Sequence, residues 1–172
     1  MHYDYPIEQL ARSAKSRFQM GFARMTMHLL PTFEDIVLEP SFQGLKILGA
    51  HEIALAMPGE MIRQIYADEV ELREPRVRLV YDTAVREPVM WIRASAPYKH
   101  AERIVQDLVA RGAAIEEVDW MAPHPVVRAQ ALLQRLLGYP QALATLSQNT
   151  AEVRMWLSHY APVPPAPGGD AA

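Results

Sequence analysis

Between residues 88 and 160 the hydrophobic period switches from two to about 3.6 and back again, twice over. PVMWIRAS (Pro88–Ser95) mixes β-branched and aromatic residues and reads as a strand. The stretch Tyr98–Arg111 then carries Ala101, Ile104, Val105, Leu108 and Val109 at helical spacing, and Gly112 stands where a helix stops. AAIEEVDWM and HPVVRAQALL follow as two strands around Ala-Pro-His-Pro. Gly138–Leu146 reads as a short helix with Ala142, Leu143 and Leu146 on one face. Finally Val153, Met155 and Leu157 alternate with Glu152, Arg154, Trp156 and Ser158, the pattern of a half-buried strand. The order β-α-β-β-α-β predicts an α+β, ferredoxin-like domain, with both helices on one face of a four-stranded antiparallel sheet.

The first half has weaker signals. FARMTMHLL (Phe22–Leu30) reads as a strand and Ile36–Leu38 as a second. Pro58-Gly59-Glu60 opens a helix through Met61, Ile62, Ile65 and Tyr66, with proline in its first turn. Arg76–Tyr81, alternating Val77, Leu79 and Tyr81, reads as a further strand. The last residues, APVPPAPGGDAA, offer nothing to bury and are expected to be an extended, mobile tail.

Composition narrows the function. Half of the 172 residues are hydrophobic, 22% are charged and the formal net charge is −3, a globular composition and a poor one for an autonomous high-affinity nucleic-acid binder. The absence of cysteine excludes disulfides, thiolate metal sites and cysteine nucleophiles. The six histidines show no metal-ligand spacing. MHYDYPIEQL has neither the basic nor the apolar region of a secretory signal, and no apolar run approaches the roughly 20 residues of a membrane helix. These readings lead us to expect a cytoplasmic protein with no membrane, metal or cofactor involvement. Of the cations, 14 are Arg and three are Lys, a bias compatible with phosphate contact. The candidates Arg73, Arg76, Arg78, Arg86, Arg93, Arg103, Arg111, Arg128 and Arg154 are interleaved with acids, however, which favours surface ion pairs.

Several segments resemble the C-terminal part of translation elongation factor G. The signature is Leu136-Leu137-Gly138-Tyr139, Leu143, Leu146-Ser147-Gln148, Ala151, Met155 and Ser158-His159-Tyr160 without a gap. Glu87-Pro88-Val89-Met90 resembles the opening of that factor's fifth domain. Pro58-Gly59-Glu60-Met61-Ile62 and Gly21-Phe22-Ala23-Arg24 resemble segments of its fourth. The resemblance implies four parts: an N-terminal segment (1–13), a truncated domain-four-like α/β unit (14–86), a ferredoxin-like domain five (87–160) and a tail (161–172). It also implies a place in translation, with the ribosome or a translation GTPase as partner and no DNA.

Departures from the family pattern are as informative. No G-x-x-x-x-G-K-[ST] occurs, so the chain offers no cradle for a triphosphate. Only Thr83-Ala84-Val85-Arg86 separates Tyr81-Asp82 from Glu87, where the family has a long segment, and the first tip loop is rewritten as Ser16-Arg17-Phe18-Gln19-Met20. Two arginines of the family pattern fall on Ala144 and Thr150. The expectation is therefore a non-catalytic protein bound to the ribosome or a translation factor. The alternative is a protein-binding or regulatory module that kept the fold and lost its RNA contacts. An enzyme on a borrowed scaffold finds no supporting constellation.

Ser158 and His159 are neighbours on a strand, so period two sends them to opposite faces and argues against a nucleophile–base pair. Glu116, Glu117 and Asp119 read as a solvated acidic run. Trp91, Trp120 and Trp156 fall on strands of the second domain, and Trp156 alternates out of phase with the apolar residues, on the exposed side. Trp156, Trp91 and Arg154, with the turn Gln148-Asn149-Thr150, are thus the candidate partner or RNA contacts, and Asn149 is expected at positive φ.

Overall fold

The structure, a computed structural model, describes residues 3–164. Its first half contains β1 (Ile7–Ser13), α1 (Gln19–Leu29), β2 (Ile36–Ser41), β3 (Gly44–Gly49), α2 (Ala56–Tyr66), β4 (Val70–Leu72) and β5 (Arg76–Val77). Its second half contains β6 (Val80–Tyr81), β7 (Val85–Ser95), α3 (Tyr98–Ala110), β8 (Ala114–Asp119), β9 (Val126–Leu132), α4 (Leu133–Leu136), α5 (Tyr139–Leu146) and β10 (Glu152–Pro162). The strands form two antiparallel sheets, ordered β2-β3-β1-β4 with β5 also on β1, and β10-β7-β9-β8 with β6 also on β7.

The second sheet has the arrangement that the alternating periods demand. The first and third strands of the β-α-β-β-α-β unit, β7 and β9, are central, and its fourth and second, β10 and β8, are the edges. Met90, Ile92 and Ala94 of β7 face inward with Val127, Ala129 and Ala131 of β9 and Met155 of β10. Ile104 and Leu108 of α3 and Tyr139 and Leu143 of α5 close over them. Both helices end in the same hydrogen-bonded turn. In α3 the Gly112 N–H donates to Val109 O and the Ala113 N–H to Leu108 O, both at 2.9 Å, with Gly112 at φ +76°. That is a Schellman stop, for which glycine carries no steric penalty.

The structure departs from the sequence reading in four places, three of them in the first half. Phe22–Leu29 is helical, as part of α1, with Leu30 its extended cap, and the segment is not a strand. Its buried residues, Gln19, Phe22, Ala23 and Thr26, follow helical spacing, and Ala, Met and Arg are good helix formers. Thr26 is its one β-branched residue, and the Thr26 hydroxyl is accommodated by donating back to Phe22 O at 2.8 Å. The segment 1–13, set apart in the sequence, holds β1, which pairs with β3, β4 and β5 at the centre of the first sheet. Its sequence shows no period-two signal, because Ile7, Leu10 and Ala11 are buried out of simple alternation, as on a strand covered from both sides. Arg76–Tyr81 is not one strand: Val77 pairs with Ile7 in the first sheet and Tyr81 with Val85 in the second. Trp120 lies just past β8, against Tyr98 with ring centroids 5.6 Å apart.

The expected tail begins later than Ala161. Ala161 and Pro162 continue β10 opposite Glu87 and Arg86, and the Val163 N–H donates to Val85 O at 2.9 Å. The remainder, residues 165–172, lies outside the described residues.

The buried side chains of the two sheets form one continuous cluster. Polar contacts join them as well. Both Glu52 carboxylate oxygens accept from the Gly138 N–H, at 3.1 and 2.9 Å, and the Tyr160 hydroxyl donates to Tyr3 O at 2.8 Å. Burial pushes the Glu52 carboxyl above its ordinary range, against the opposing pull of the Gly138 N–H and Arg111.

Two predictions test this packing. Leu108 is fully buried at the centre of the α3 face, so Leu108→Ala should cost about 2–5 kcal/mol in urea unfolding. A cost below about 0.5 kcal/mol would contradict the α3 packing. A carboxyl whose folded pKa is raised binds more protons folded than unfolded, so its contribution falls as pH rises through that window. Glu52→Gln retains an acceptor for Gly138, and should match the wild type in acid yet exceed it in stability at neutral pH. Lower stability of the variant at neutral pH would show the ionised Glu52 to be net favourable.

Candidate functional site

The outer face of the second sheet carries no helix of its own unit, and strand register fixes what it displays. Cross-strand pairing aligns Trp156, Trp91, Gln130 and Ala114 in one row. The neighbouring row is Arg154, Arg93, Arg128 and Glu117. On the far side of the tryptophans lie His159, Val89 and Leu132, and beyond the arginines lie Glu152, Ser95, Val126 and Asp119.

The Trp91 and Trp156 rings lie nearly parallel, at 23°, with centroids 6.5 Å apart. Trp156 is 45% exposed and Trp91 half-buried. The reading that put Trp156 on the exposed side therefore describes its position, and Trp91 is its direct cross-strand neighbour. Arg154 sits opposite Arg93, which sits opposite Arg128 on its other side. Arg128 is paired with Glu117, whereas Arg93 and Arg154 have no carboxylate within 4.0 Å among the described residues. Like charges directly opposite one another on a sheet are destabilising. By contrast Arg73, Arg76, Arg78, Arg86 and Arg111 are held by Glu71, Glu8, Glu8, Asp82 and Asp107, as their interleaving with acids suggested. What the sequence left unassembled is the arginine row and the placement of Gln130 beside the tryptophans. The signal was present in the alternation of Trp91 with Arg93 and of Arg128 with Gln130, but pairing it required the register.

The turn Gln148-Asn149-Thr150 is not part of this row. It closes α5, where the Asn149 N–H donates to Ala144 O at 2.8 Å and the Gln148 N–H to Thr145 O at 3.3 Å. This is the same stop as at Gly112, now with Gln148 at φ +53° and Asn149 at φ +60°. The positive φ expected of Asn149 is present, and Gln148 shares it. The Thr150 hydroxyl donates to Ser147 O, and the buried Ser147 Oγ accepts from the Ala151 N–H at 3.1 Å.

Ser158 and His159 require a correction. A β-bulge between Leu157 and His159 breaks the alternation, and Ser158 Oγ lies 3.0 Å from His159 Nδ1. The two side chains do touch, contrary to the strict period-two argument. No carboxylate within 4.0 Å orients the His159 ring among the described residues, and the pair lies on the strand surface. Glu116 occupies a second bulge, between Ile115 and Glu117, and Asp119 accepts from the Met121 N–H at 2.9 Å. Among the described residues, no group of three His, Asp or Glu side chains is disposed to hold a metal ion, and no helix is long and apolar enough to cross a membrane. A cleft of about 300 Å³ between the units is lined by Gln9, Glu52 and Gln141 among others. Its Gln9 amide is engaged with Arg73 O and its Glu52 carboxylate with Gly138.

The second half is an antiparallel α+β domain of the split βαβ type. The family model of the elongation factor G C-terminus matches residues 84–169, half of the chain, and the chain belongs to that family. Elongation factor G of Fervidobacterium nodosum is 36% identical over 78 residues, 45% of this chain and 11% of that protein. Elongation factor G of Thermotoga maritima is 33% identical over 78 residues, with the same coverage of 45% and 11%. The chain thus matches about a tenth of the length of these relatives. A crystal structure of a Thermus thermophilus protein matches with a TM-score of 0.67, covering 93% of this chain and 41% of that one. At 16% identity this likeness speaks for the fold alone, and its coverage takes in both sheets.

Substitutions at the α5 stop provide a test. Gln148→Gly should stabilise by about 1 kcal/mol, because a side chain at left-handed φ costs about that much. Asn149→Val should cost on the order of 1–2 kcal/mol. Thermal or urea unfolding measures both, and a destabilising Gln148→Gly would show that the glutamine side chain contributes more than its backbone conformation costs.

Proposed function

We propose that this protein is a non-catalytic binding protein of the translation apparatus, docking on the ribosome or on a translation factor without binding GTP itself. The family match over residues 84–169 is the observation that carries this reading. The lack of a phosphate-binding loop in the sequence supports the absence of GTP binding, and the Trp91–Trp156 face offers a contact surface. The role is cytoplasmic on this reading.

A second reading has its own observation. Ala144 and Thr150 stand where the family pattern has arginines, and Arg73, Arg76, Arg78, Arg86 and Arg111 are tied to acids. On that reading the fold serves a protein partner after loss of the RNA contacts.

Co-sedimentation separates the two. The protein should pellet with purified ribosomes at low salt and be released as salt rises. Complete retention in the supernatant at low salt would overturn ribosome docking. The double variant Ala144→Arg with Thr150→Arg should bind ribosomes more tightly and with a steeper salt dependence. Unchanged affinity would favour the protein-binding reading for that surface.

A further inference from the structure

The geometry points to the outer face of the β10-β7-β9-β8 sheet as a binding site for single-stranded RNA, with bases stacked on Trp91 and Trp156 and phosphates held by Arg93, Arg154 and Arg128. The choice of RNA rests on the translational reading above; the site itself rests on three features of the sheet.

The first is the tryptophan pair. Two indoles, side by side on adjacent strands and tilted by 23°, form a flat apolar surface with Trp156 45% exposed. A nucleobase stacks on such a surface whatever its sequence, because every base has a π face. Four-stranded sheets of the same β-α-β-β-α-β order present aromatic residues to single-stranded RNA in RNA-recognition motifs. Here the two aromatic positions are on a central strand and its edge neighbour.

The second is the arginine row. Arg93 lies between Arg154 and Arg128 across two inter-strand spacings, about 10 Å in all. Only Arg128 has a carboxylate, Glu117, within 4.0 Å among the described residues. Three guanidinium groups aligned across a sheet repel one another, and an anion between them turns that repulsion into charge-assisted hydrogen bonding. The row follows the tryptophans at two residues' distance, roughly 7 Å along the strands, as a phosphate follows the base of its own nucleotide.

The third is the distribution of the remaining groups. The row on the other side of the tryptophans contains His159 and no acid. Gln130, in the tryptophan row, offers a donor and an acceptor to a base edge. The other acids of this face stand apart from the tryptophans, Glu152 and Asp119 one row beyond the arginines and Glu87 two residues beyond Val89 on β7. An acidic protein segment would use the arginines, but would leave the flat stack without a matching planar partner, so the two features together favour a nucleotide chain.

The test uses the full chain and two fluorescently labelled RNA probes, an eight-nucleotide oligouridylate and an oligoadenylate, in anisotropy titrations. Both should bind, with tryptophan fluorescence quenched on binding. The log–log salt slope should lie near −1.4 to −2.1, corresponding to about two or three phosphates on a single strand. Trp156→Ala should weaken binding about tenfold or more, and Trp156→Phe should recover part of the loss. Arg93→Gln should weaken both probes alike and make the slope shallower by about 0.7. Trp156 is exposed, so unchanged urea unfolding of its variants would confirm that the loss is local.

Failure of wild-type protein to bind either probe at low salt would overturn the site, whatever the ribosome result. Equal binding of a duplex RNA, or preferential binding of a polyglutamate peptide, would overturn it as well. Binding of the probes without ribosome co-sedimentation would uphold this site and reject the docking reading. Ribosome binding that survives Trp156→Ala, with probe binding lost, would also uphold it and put the ribosomal contact elsewhere.

Discussion

The eleven-residue strand β7 organises the second half of the molecule. It is hydrogen-bonded to β10 on one side and β9 on the other, and β6 turns back onto its beginning. Because side chains alternate along it, one strand does two separate jobs. Met90, Ile92 and Ala94 anchor the core beneath α3 and α5, while Trp91 and Arg93 stand on the opposite surface. A slip of one residue in its register would exchange core and surface at once. The packing of the hidden face therefore fixes the alignment of the visible one. The tryptophan pair and the arginine row are held in place by apolar residues on the opposite face of the sheet.

This dependence explains what could be read from the sequence. The second domain was legible because its helices and strands are each covered on one face, so their periods differ cleanly. Tyr98–Ala110 and Glu152–Leu157 lie where the pattern puts them. The first half was less legible because its elements do not show one-sided periodicity. Ile7–Ser13 is buried in the middle of a sheet, and Phe22–Leu29 carries apolar residues on both its buried and exposed sides, with Met25 and Leu29 each 55% exposed. Bulges defeated period arguments in the same way. One extra residue after Leu157 brings Ser158 and His159 together, and nothing in the local sequence announces it.

The candidate site was partly legible. Exposure of Trp156 followed from alternation within a single strand. Its stacking on Trp91, the alignment of Arg154 with Arg93 and Arg128, and the isolation of the Gln148 turn from them are properties of pairing between strands. The paired arginines show why composition alone misled in both directions. Six of the nine candidate arginines neutralise nearby acids; of the other three, Arg103 lies on α3, while Arg93 and Arg154 are gathered by register into a single row.

The divided segment Arg76–Tyr81 has a mechanical consequence. Two residues, Arg78 and Leu79, are all that separate a strand zipped into the first sheet from one zipped into the second. Fully extended they span only about 7 Å, so this link has almost no slack. A load drawing the two sheets apart would pass at once to the short β5 and β6 ladders and to the Glu52–Gly138 clasp. With so short a tether, the two sheets have little room to separate at this point of the chain.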